Sequence, residues 1–571
     1  MCDHSGMPDP LLTIEEAAER LDKPVSTVRR WVAKGQLKGE KVGRQWLVAA
    51  TAVPERPAPS IVSRSPSVPT GVDLDVSLTQ LEYRDLRALW VPDILNCEDA
   101  LADRVSLLAH AATKLAAAGP FDPVTIVEIP KTAFSTRPGA DFSLEDRLAF
   151  HGAVASFAPR VERLLSDSVY SARLSDNKRY LNKNGRDQWM AWRRETIRLI
   201  GEGYTWLVKT DITSYFDNIE HRLLFADIDR VAPDRTVANA LKRMLGEWAP
   251  VPGRGIPQGP DVSRTLGNLY LIPVDEQMAA GSYKYLRFMD DIHVLGRSRR
   301  EVIEGVRTLE RECRRRGLGL SGHKTVLVLG AEAVESLTEP ELDVAQYWLD
   351  VGANPMARHE LRSVLRRSLA KAGTLNARHA LFSLYRLRLL RDYMMTKTVI
   401  RNIEQLAPQA SAVAQYLSPF LGRKGVEDGL IAYFRDPERN TSSFVSAWLL
   451  AAYLDRGDRV PKGIAAYAAE VCRDRNQPAY HRVIAANVMA LARRPSDLDW
   501  LTASAKSEFD PVLVRGYVTA LARVSHLTKN VEDFVTARLP RMASTIEYLR
   551  GRRFLPSLVF PDHRAPILPH A

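Results

Sequence analysis

The stretch YLRFMDDIHVL, residues 285–295, decides the fold. Apolar residues lie on both sides of two adjacent carboxylates, Asp290 and Asp291, which predicts two strands joined by a hairpin whose tip carries the acids. Two neighbouring aspartates inside an apolar run are unfavourable to bury unless a cation compensates them. The stretch therefore predicts a strand hairpin that presents negative charge to a cation.

A second stretch, LVKTDITSYFD at residues 207–217, predicts a strand that ends in a carboxylate, Asp211, followed by a turn into a helix. Asp211 and Asp290 are 79 positions apart (290 − 211), so a fold must bring the two strands together. Carboxylate oxygens of this kind suit Mg²⁺. Two such ions, about 3.5–4 Å apart, can activate a hydroxyl and stabilise a leaving pyrophosphate.

These two stretches resemble motifs A and C of reverse transcriptases. The resemblance implies a right-hand fingers–palm core and an RNA-directed DNA polymerase, which is a nucleotidyltransferase that uses dNTPs. It also implies two Mg²⁺ ions, with Mn²⁺ as an alternative. The catalytic residues would include the three aspartates, and the metal ligands would be Asp211, Ile212, Asp290 and Asp291.

Residues 255–263, GIPQGPDVS, resemble motif B, a glycine turn that leads into a helix cradling the incoming nucleotide and template. Gln258 and Gly259 would bind substrate there, because glycine allows close backbone approach and glutamine supplies an uncharged hydrogen-bond partner. Residues 319–325, GLSGHKT, resemble motif D, whose lysine, here Lys324, would act in catalysis by protonating the departing pyrophosphate.

Upstream, Lys131 in IPK and Arg137 in RP resemble the basic residues of the fingers that grip the triphosphate. A lone pair of aspartates is common and usually just solvated, and a lone PQG is a common turn. Five such stretches in the order that the family has are very improbable by chance. Their combination, rather than any one of them, carries the polymerase prediction.

Phe216 lies five positions after Asp211, where reverse transcriptases place an aromatic residue that excludes a 2′-hydroxyl. That resemblance implies deoxynucleotide substrates and a DNA product; the alternative is a core phenylalanine. Two positions depart from the family: Phe288 replaces the commoner tyrosine, and Ser263-Arg264-Thr265 stands where many members have Ser-Pro-Leu. Neither departure changes a metal ligand, so we expect activity to be retained.

The N-terminal sequence TIEEAAERLDKPVSTVRRWVAKGQLKGEKVGRQWLV, residues 13–48, reads as two short helices and a hairpin. It resembles the excisionase/MerR-type winged helix-turn-helix, in which the second helix enters the major groove and the wing contacts backbone. The resemblance implies a DNA-binding domain over residues 1–50. Its DNA-binding residues would be Arg29, Arg30, Lys34 and Arg44. The alternative is a small domain for protein contacts.

The remaining chain divides by composition into four parts. Residues 51–72 are a Pro/Ser-rich linker, and 73–350 alternate helix and strand patterns, as fingers and palm would. Residues 351–551 have only helical patterns, and the tetrapeptide Ala-Leu-Ala-Arg at 490–493 recurs at 520–523, which favours HEAT-like repeats. Residues 552–571 should form an irregular tail. The predicted fold class is therefore multidomain α/β plus α.

The bulk composition agrees with a soluble, cytoplasmic enzyme that has a polyanionic partner. The 571 residues exceed one core, and a formal charge of +11 favours nucleic acid. Four scattered cysteines without a CxxC pair argue against a zinc site or a disulfide framework. No signal peptide or membrane span is visible.

A reverse-transcriptase core joined directly to a long helical region resembles the bacterial abortive-infection and defence-associated group. That resemblance implies antiphage defence, with synthesis from a 3′-hydroxyl or a protein hydroxyl, and leaves a phage-derived trigger and a homo-oligomer open. One alternative is a retron- or intron-like enzyme that copies a dedicated RNA. Another is a DNA-binding regulator with a vestigial palm. Arg475 and His481 also fit the loose pattern of HEPN ribonucleases, although Pro478 interrupts it.

Overall fold

A computed structural model describes residues 11–13, 32, 39–42, 45–49, 68–116, 121–370, 374–456, 460–552 and 554–561. The chain forms two compact units, residues 1–67 and residues 68–571. The predicted division of the second unit near residue 350 stays a prediction.

The N-terminal unit contains a three-stranded antiparallel sheet of order β1-β3-β2, with β1 at Leu11–Thr13, β2 at Gly39–Val42 and β3 at Gln45–Ala49. Lys41 pairs with Trp46, so the predicted hairpin is present. Thr13 pairs with Leu47 at the end of β1. Most of the two predicted helices lies outside the described residues.

The second unit is built around a four-stranded antiparallel sheet of order β7-β8-β6-β9. Its strands are β6 (Trp206–Asp211), β7 (Lys284–Phe288), β8 (Asp291–Gly296) and β9 (Val326–Leu329). A separate hairpin pairs β4 (Thr125–Pro130) with β5 (Thr136–Asp141). The strand predicted at residues 207–211 is therefore present. The hairpin predicted at residues 285–295 is present as well.

Helices surround the sheet and the hairpin. Those before β6 are α1 (Leu74–Tyr83), α2 (Glu98–Ala102), α3 (Arg104–Ala116), α4 (Leu144–Ala155), α5 (Ala158–Leu164) and α6 (Gly185–Gly201). Those between β6 and β9 are α7 (Tyr215–Asn218), α8 (His221–Val231), α9 (Arg235–Trp248), α10 (Asp261–Met278) and α11 (Arg299–Arg315).

Alternation along β6 places the sheet between two layers of helices, because successive strand side chains point to opposite faces. Leu207 packs in a core with Trp192 of α6, whereas Val208 packs in a larger core with Leu266 of α10. All of these side chains are buried. The layers fix the sheet and leave the β7–β8 turn at one end of it.

Beyond β9 the described residues contain helices and connections but no strand, as the sequence predicted. This helical region comprises α12 (Gly330–Glu335), α13 (Pro340–Asp350), α14 (Asn354–Ser368), α15 (Ala377–Leu389), α16 (Thr396–Arg401), α17 (Ala410–Leu417), α18 (Lys424–Arg435), α19 (Ser443–Ala451), α20 (Lys462–Arg473), α21 (Ala479–Leu491), α22 (Pro495–Ser507), α23 (Pro511–Arg523), α24 (Lys529–Arg538) and α25 (Ala543–Leu549).

The recurring Ala-Leu-Ala-Arg tetrapeptides lie near the carboxyl ends of α21 and α23, which pack against each other. Arg493 donates to the carbonyl of Val524 at 3.0 Å, and Arg523 donates to Asn487 Oδ1 at 3.2 Å. Both arginines therefore bond across the contact between α21 and α23. The HEAT-like classification stays a prediction.

The core of the helical region extends into the chain before β6. Val91, Ile94 and Leu95, together with Val127 and Ile129 of β4, are buried in the same apolar cluster as the helices from α13 onward. The β4–β5 hairpin is thus packed on the helical region.

Candidate active site

Strand register brings the three aspartates to one end of the sheet. Asp211, the last residue of β6, lies opposite Asp291, the first residue of β8. Phe288 also pairs with Asp291, so that Met289 and Asp290 form a two-residue turn. The amide of Ile212 donates to the carbonyl of Asp290 at 3.2 Å, which ties the turn to the strand beside it.

The turn depends on an unusual backbone conformation. Met289 has φ +59°, a left-handed conformation that costs a non-glycine residue about 1–3 kcal/mol and persists only where the surroundings enforce it. Here Arg287 Nη1 donates to the carbonyl of Met289 at 3.1 Å and to Asn268 Oδ1 at 2.9 Å. The side chain of Arg287 is fully buried.

A carboxylate from α10 neutralises this arginine. Asp275 accepts from Arg287 Nη2 at 2.6 Å and from Nε at 2.9 Å, and it also accepts from Tyr285 Oη at 2.9 Å. Bidentate geometry and complete hydrogen bonding are what a buried ion pair requires. The pair anchors the carboxylate-bearing turn to α10.

The carboxylates themselves are crowded and incompletely bonded. Asp211 and Asp290 are 6% and 3% exposed, and Oδ1 of each is buried without a hydrogen-bond partner in the described chain. Burial and the charges of Asp291 and Asp211 raise the pKa of Asp290 well above its ordinary value. Burial and the charge of Asp211 raise the pKa of Asp291 to about 6. The site therefore has an excess of negative charge.

One cation already touches this group. Lys324 Nζ donates to Asp211 Oδ2 at 2.9 Å. Burial lowers the pKa of Lys324, but the hydrogen bond to Asp211 and the nearby carboxylates outweigh it, and the net pKa is raised. Lys324 is therefore protonated at neutral pH.

In the described chain no three His, Cys, Asp or Glu side chains stand in metal-coordinating geometry. The donor set nevertheless fits a hard cation, because carboxylate oxygens without partners repel one another until a cation neutralises them. The residues present thus fit Mg²⁺, and the metal assignment remains a prediction.

A cavity of about 620 Å³ adjoins the carboxylates. Its lining includes six of the predicted site residues, namely Arg137, Phe216, Gln258, Gly259, Asp290 and Asp291. It also includes residues of the helical region, Gln409, Ser411, Phe444 and Trp448 among them. The structure thus gathers residues from both halves of the second unit around one space.

The turn before α10 needs its glycine. Gly259 has φ +124°, and a Cβ there would lie 2.3 Å from Nε1 of Trp90. Gln258 Nε2 donates to Asp217 Oδ1 at 2.6 Å, which links this turn to the residues that follow β6. The role of Asp217 could not be predicted from its sequence neighbours, because its partner Gln258 lies 41 positions away.

Phe216 is half-buried and lines the cavity, whereas its neighbour Tyr215 is buried in the core and donates to the carbonyl of Gly267 at 2.5 Å. A Cβ on Gly267 would lie 3.2 Å from both rings. Tyr215 rather than Phe216 occupies the core position. The proposed exclusion of a 2′-hydroxyl by Phe216 stays a prediction.

The two basic residues of the β4–β5 hairpin differ in placement. Arg137 lines the cavity; burial lowers its pKa, while the charges of Asp290 and Asp217 act in the opposite direction. Lys131 is an exposed residue of the loop that follows β4 and does not belong to the cavity lining. The structure therefore brings only Arg137 to the carboxylates.

Two other groups of predicted site residues have different outcomes. Arg29, Arg30, Lys34 and Arg44 lie outside the described residues. His481, from the ribonuclease pattern, is 1% exposed, and burial lowers its pKa to about 4. A buried, neutral imidazole is a poor ribonuclease catalyst, so that alternative loses its support.

Comparison with known families bears directly on this site. Residues 163–347, which contain β6 to β9, match the family "Reverse transcriptase (RNA-dependent DNA polymerase)". The chain carries a reverse-transcriptase domain. The predicted enzyme class, an RNA-directed DNA polymerase, is confirmed for this domain, and residues 11–55 match "Helix-turn-helix domain", which confirms the N-terminal prediction at that level.

Solved structures show weaker similarity to this chain. A partial Cas6-RT-Cas1–Cas2 complex is 20% identical over 42% of this chain and 39% of its own, with a TM-score of 0.25. The apo telomerase of Candida tropicalis is 11% identical over 77% of this chain and 70% of its own, with a TM-score of 0.31. The telomerase of Candida albicans with a telomeric RNA fragment is 12% identical, covering 52% and 62%, with a TM-score of 0.25.

These similarities are too low to carry an argument about function. The chain spans about 39% of the length of the first of these structures. A comparison with curated proteins finds no match. Among the described residues no helix is both long and apolar enough to cross a membrane.

We predict that Arg287→Met destabilises the protein by about 3–5 kcal/mol, because Asp275 would remain buried without its counter-charge. Urea unfolding monitored by circular dichroism measures this. Arg198→Met, which removes an exposed arginine paired with Glu195, is the control and should change stability by about 1 kcal/mol or less. The double variant Arg287→Met/Asp275→Asn should recover part of the loss; equal effects of the two arginine substitutions would contradict the anchoring role.

We also predict that Asp291→Asn stabilises the metal-free protein at neutral pH. The raised pKa of Asp291 means that the folded state binds a proton more tightly than the unfolded chain, so wild type loses stability, relative to the variant, as pH rises from about 4 through about 6. Thermal melts in EDTA should show a melting temperature about 2–4 °C higher for the variant at neutral pH.

The same melts contain their own control. At pH below 4 the difference should vanish, and Mg²⁺ should raise the melting temperature of wild type more than that of the variant. Identical melting temperatures at neutral pH would contradict the charge repulsion inferred here.

Proposed function

We propose that the protein is a reverse-transcriptase-type DNA polymerase that extends a 3′-hydroxyl or a protein hydroxyl with dNTPs. The observation that carries the proposal is the convergence of Asp211, Asp290 and Asp291 beside the 620 Å³ cavity, with one unpartnered buried oxygen on each of Asp211 and Asp290. In this reaction the hydroxyl oxygen attacks the α-phosphorus of a dNTP. The bond from that phosphorus to the bridging oxygen breaks, and pyrophosphate leaves.

Asp211, Asp290, Asp291 and Ile212 would hold two Mg²⁺ ions, which supply neutralisation of charge at the reacting phosphate when bound. The remaining steps fall to the chain itself. Arg137, which interacts with both Asp217 and Asp290, is placed to receive the triphosphate. Lys324 holds a proton at Nζ and can transfer it to the departing pyrophosphate.

The cavity also has the side chains that an unpaired nucleic-acid strand requires. Tyr83 and Tyr180 line it; each is 37% exposed, and their ring centroids are 6.1 Å apart. The guanidinium groups of Arg87 and Arg179 lie 5.7 and 5.4 Å from the Tyr83 ring. Aromatic rings stack on bases, and arginines beside them neutralise phosphates. This combination supports a nucleic-acid template or primer as partner.

We further propose a role in antiphage defence of the abortive-infection type. Its support is the domain order, a polymerase core followed directly by a helical region, together with the packing of the two on a shared core. In this proposal the N-terminal helix-turn-helix tethers the enzyme to DNA. The net positive charge of the whole chain aids retention on the DNA.

The decisive experiment incubates the purified protein with Mg²⁺ and labelled dNTPs and compares wild type with Asp290→Asn/Asp291→Asn. We expect wild type to form DNA and the variant to show background only, because the variant lacks two of the carboxylates that would hold the Mg²⁺ ions. Product that remains on denatured protein and is released by protease indicates a protein hydroxyl as primer. Product that forms only with a co-purified RNA or an added primer–template favours the retron-like alternative. If wild type incorporates no labelled dNTP in any condition, the proposal is contradicted.

The same two proteins, expressed in cells, test the defence role by plaque counts. Wild type should reduce plaque numbers and the variant should not. Equal plaque numbers, with the polymerase active in vitro, would reject defence while leaving the enzymatic proposal intact.

A second prediction concerns sugar selection. Phe216→Val should raise incorporation of rNTPs relative to dNTPs by roughly 10-fold or more, because the smaller side chain leaves room for a 2′-hydroxyl. Competition between labelled rNTPs and dNTPs measures the ratio. Tyr215→Phe, which removes the hydroxyl of the neighbouring buried ring but not the ring, is the matched control. An unchanged ratio in Phe216→Val would return Phe216 to a packing role.

A further inference from the structure

Residues 90–99, here called the bridge segment, connect the turn before α10 to the helical region. This turn, residues 255–260, is called the nucleotide-binding turn below, after the role proposed for Gln258 and Gly259. On one side Trp90 Nε1 donates to the carbonyl of Gln258 at 3.0 Å, and the amide of Ala140 in β5 donates to the same carbonyl at 3.0 Å. The Trp90 ring fills the space beside Gly259. The main chain of the turn is thus held by the bridge segment and by β5.

On its other side the bridge segment is held by the helical region. Trp448 of α19, which is 2% exposed, donates through Nε1 to the carbonyl of Trp90 at 3.0 Å. Arg515 of α23 binds two carboxylates of the segment, with Nη1 at 2.8 Å from Asp93 Oδ2 and Nε at 2.8 Å from Asp99 Oδ2. These contacts join positions more than 350 residues apart in sequence (448 − 90 = 358).

Helix α25, the last one in the part of the chain that the structure describes, adds to this attachment. Thr545 of α25 donates to Asp99 Oδ2 at 2.7 Å, and Tyr548 donates to Glu98 Oε2 at 2.6 Å. Between these polar contacts Val91, Ile94 and Leu95 are buried in the core of the helical region. Both ends and the middle of the bridge segment are therefore fixed by helices that follow the polymerase strands.

A continuous path of hydrogen bonds results. It runs from Trp448 to the carbonyl of Trp90, from the Trp90 indole to the carbonyl of Gln258, and from the Gln258 amide to Asp217. Gln258, which lies on this path, lines the cavity beside the catalytic carboxylates, as Asp290 does. A shift of α19 would move the main chain of the turn that contains Gln258.

We propose that Trp90 is a positioning residue through which the helical region sets the geometry of the nucleotide-binding turn. The inference deepens the proposed polymerase function and rests on it for its effect on nucleotide binding. The helical region is then a component of the polymerase site rather than an appended effector. Whatever displaces α19 changes nucleotide affinity without contacting the nucleotide.

The test uses Trp90→Phe, which keeps a smaller ring beside Gly259 and removes the donor to Gln258. Trp448→Phe removes the preceding donor and leaves Trp90 in place. The matched control is Trp500→Phe, a partly buried tryptophan of α22 that packs on Tyr517 outside the path. All three are measured in the full chain.

Two readouts are compared. Hydrogen–deuterium exchange should be faster at residues 255–263 in Trp90→Phe and Trp448→Phe than in wild type and Trp500→Phe, because the turn loses its support. In steady-state polymerisation KM for dNTP should rise roughly 3–10-fold in Trp90→Phe, as expected for one lost hydrogen bond, while kcat changes by less than about twofold.

The outcomes separate the two proposals. If hydrogen exchange at residues 255–263 and KM are both unchanged in Trp90→Phe, the positioning role is overturned. If exchange is faster in Trp90→Phe but not in Trp448→Phe, the part assigned to the helical region is overturned. Faster exchange in both variants, with a wild type that polymerises nothing, supports the positioning role and rejects the polymerase function. A KM increase of equal size in Trp500→Phe also overturns the inference.

Discussion

The buried ion pair between Arg287 and Asp275 is the constraint on which the active-site geometry depends. Without it the carbonyl of Met289, whose backbone is left-handed, would lose its hydrogen bond from Arg287, and the turn that presents Asp290 beside Asp211 would be less firmly held. A buried pair is seldom a net source of stability compared with apolar side chains of similar size. Its value here lies in specifying one conformation of a turn whose own residues would prefer another.

Opposed to that constraint is the repulsion among the carboxylates. The fold gathers negative charge where water is largely excluded, and it balances the charge only in part, with Lys324 and Arg137. Sites that bind highly charged ligands commonly accept such instability, because the ligand removes it on arrival. The Arg287–Asp275 pair thus holds the turn in place against the repulsion among the carboxylates that the turn presents.

Much of the site could be predicted because its signals are local. Strand patterns interrupted by Asp211 and by Asp290–Asp291 predict the carboxylate-bearing ends, and the glycine at 259 marks the turn. Pairs of residues that the tertiary packing brings together could not be predicted from the sequence pattern. Asp275 lies on α10, twelve positions before its partner Arg287 on β7 (287 − 275), and Trp90 meets Gln258 across 168 positions. Lys131 and Arg137 looked equivalent in sequence, but only the turn of the β4–β5 hairpin decides which one faces the cavity.

The shared core of the β4–β5 hairpin and the helical region has a consequence for how such proteins can diverge. Val91, Ile94, Val127 and Ile129 are covered by helices encoded far downstream. Recombination that joined this polymerase core to a foreign C-terminal half would leave an uncovered apolar surface next to the catalytic cavity. The two halves are therefore expected to be inherited together, with compensating substitutions on both sides of their seam, instead of being exchanged as independent modules.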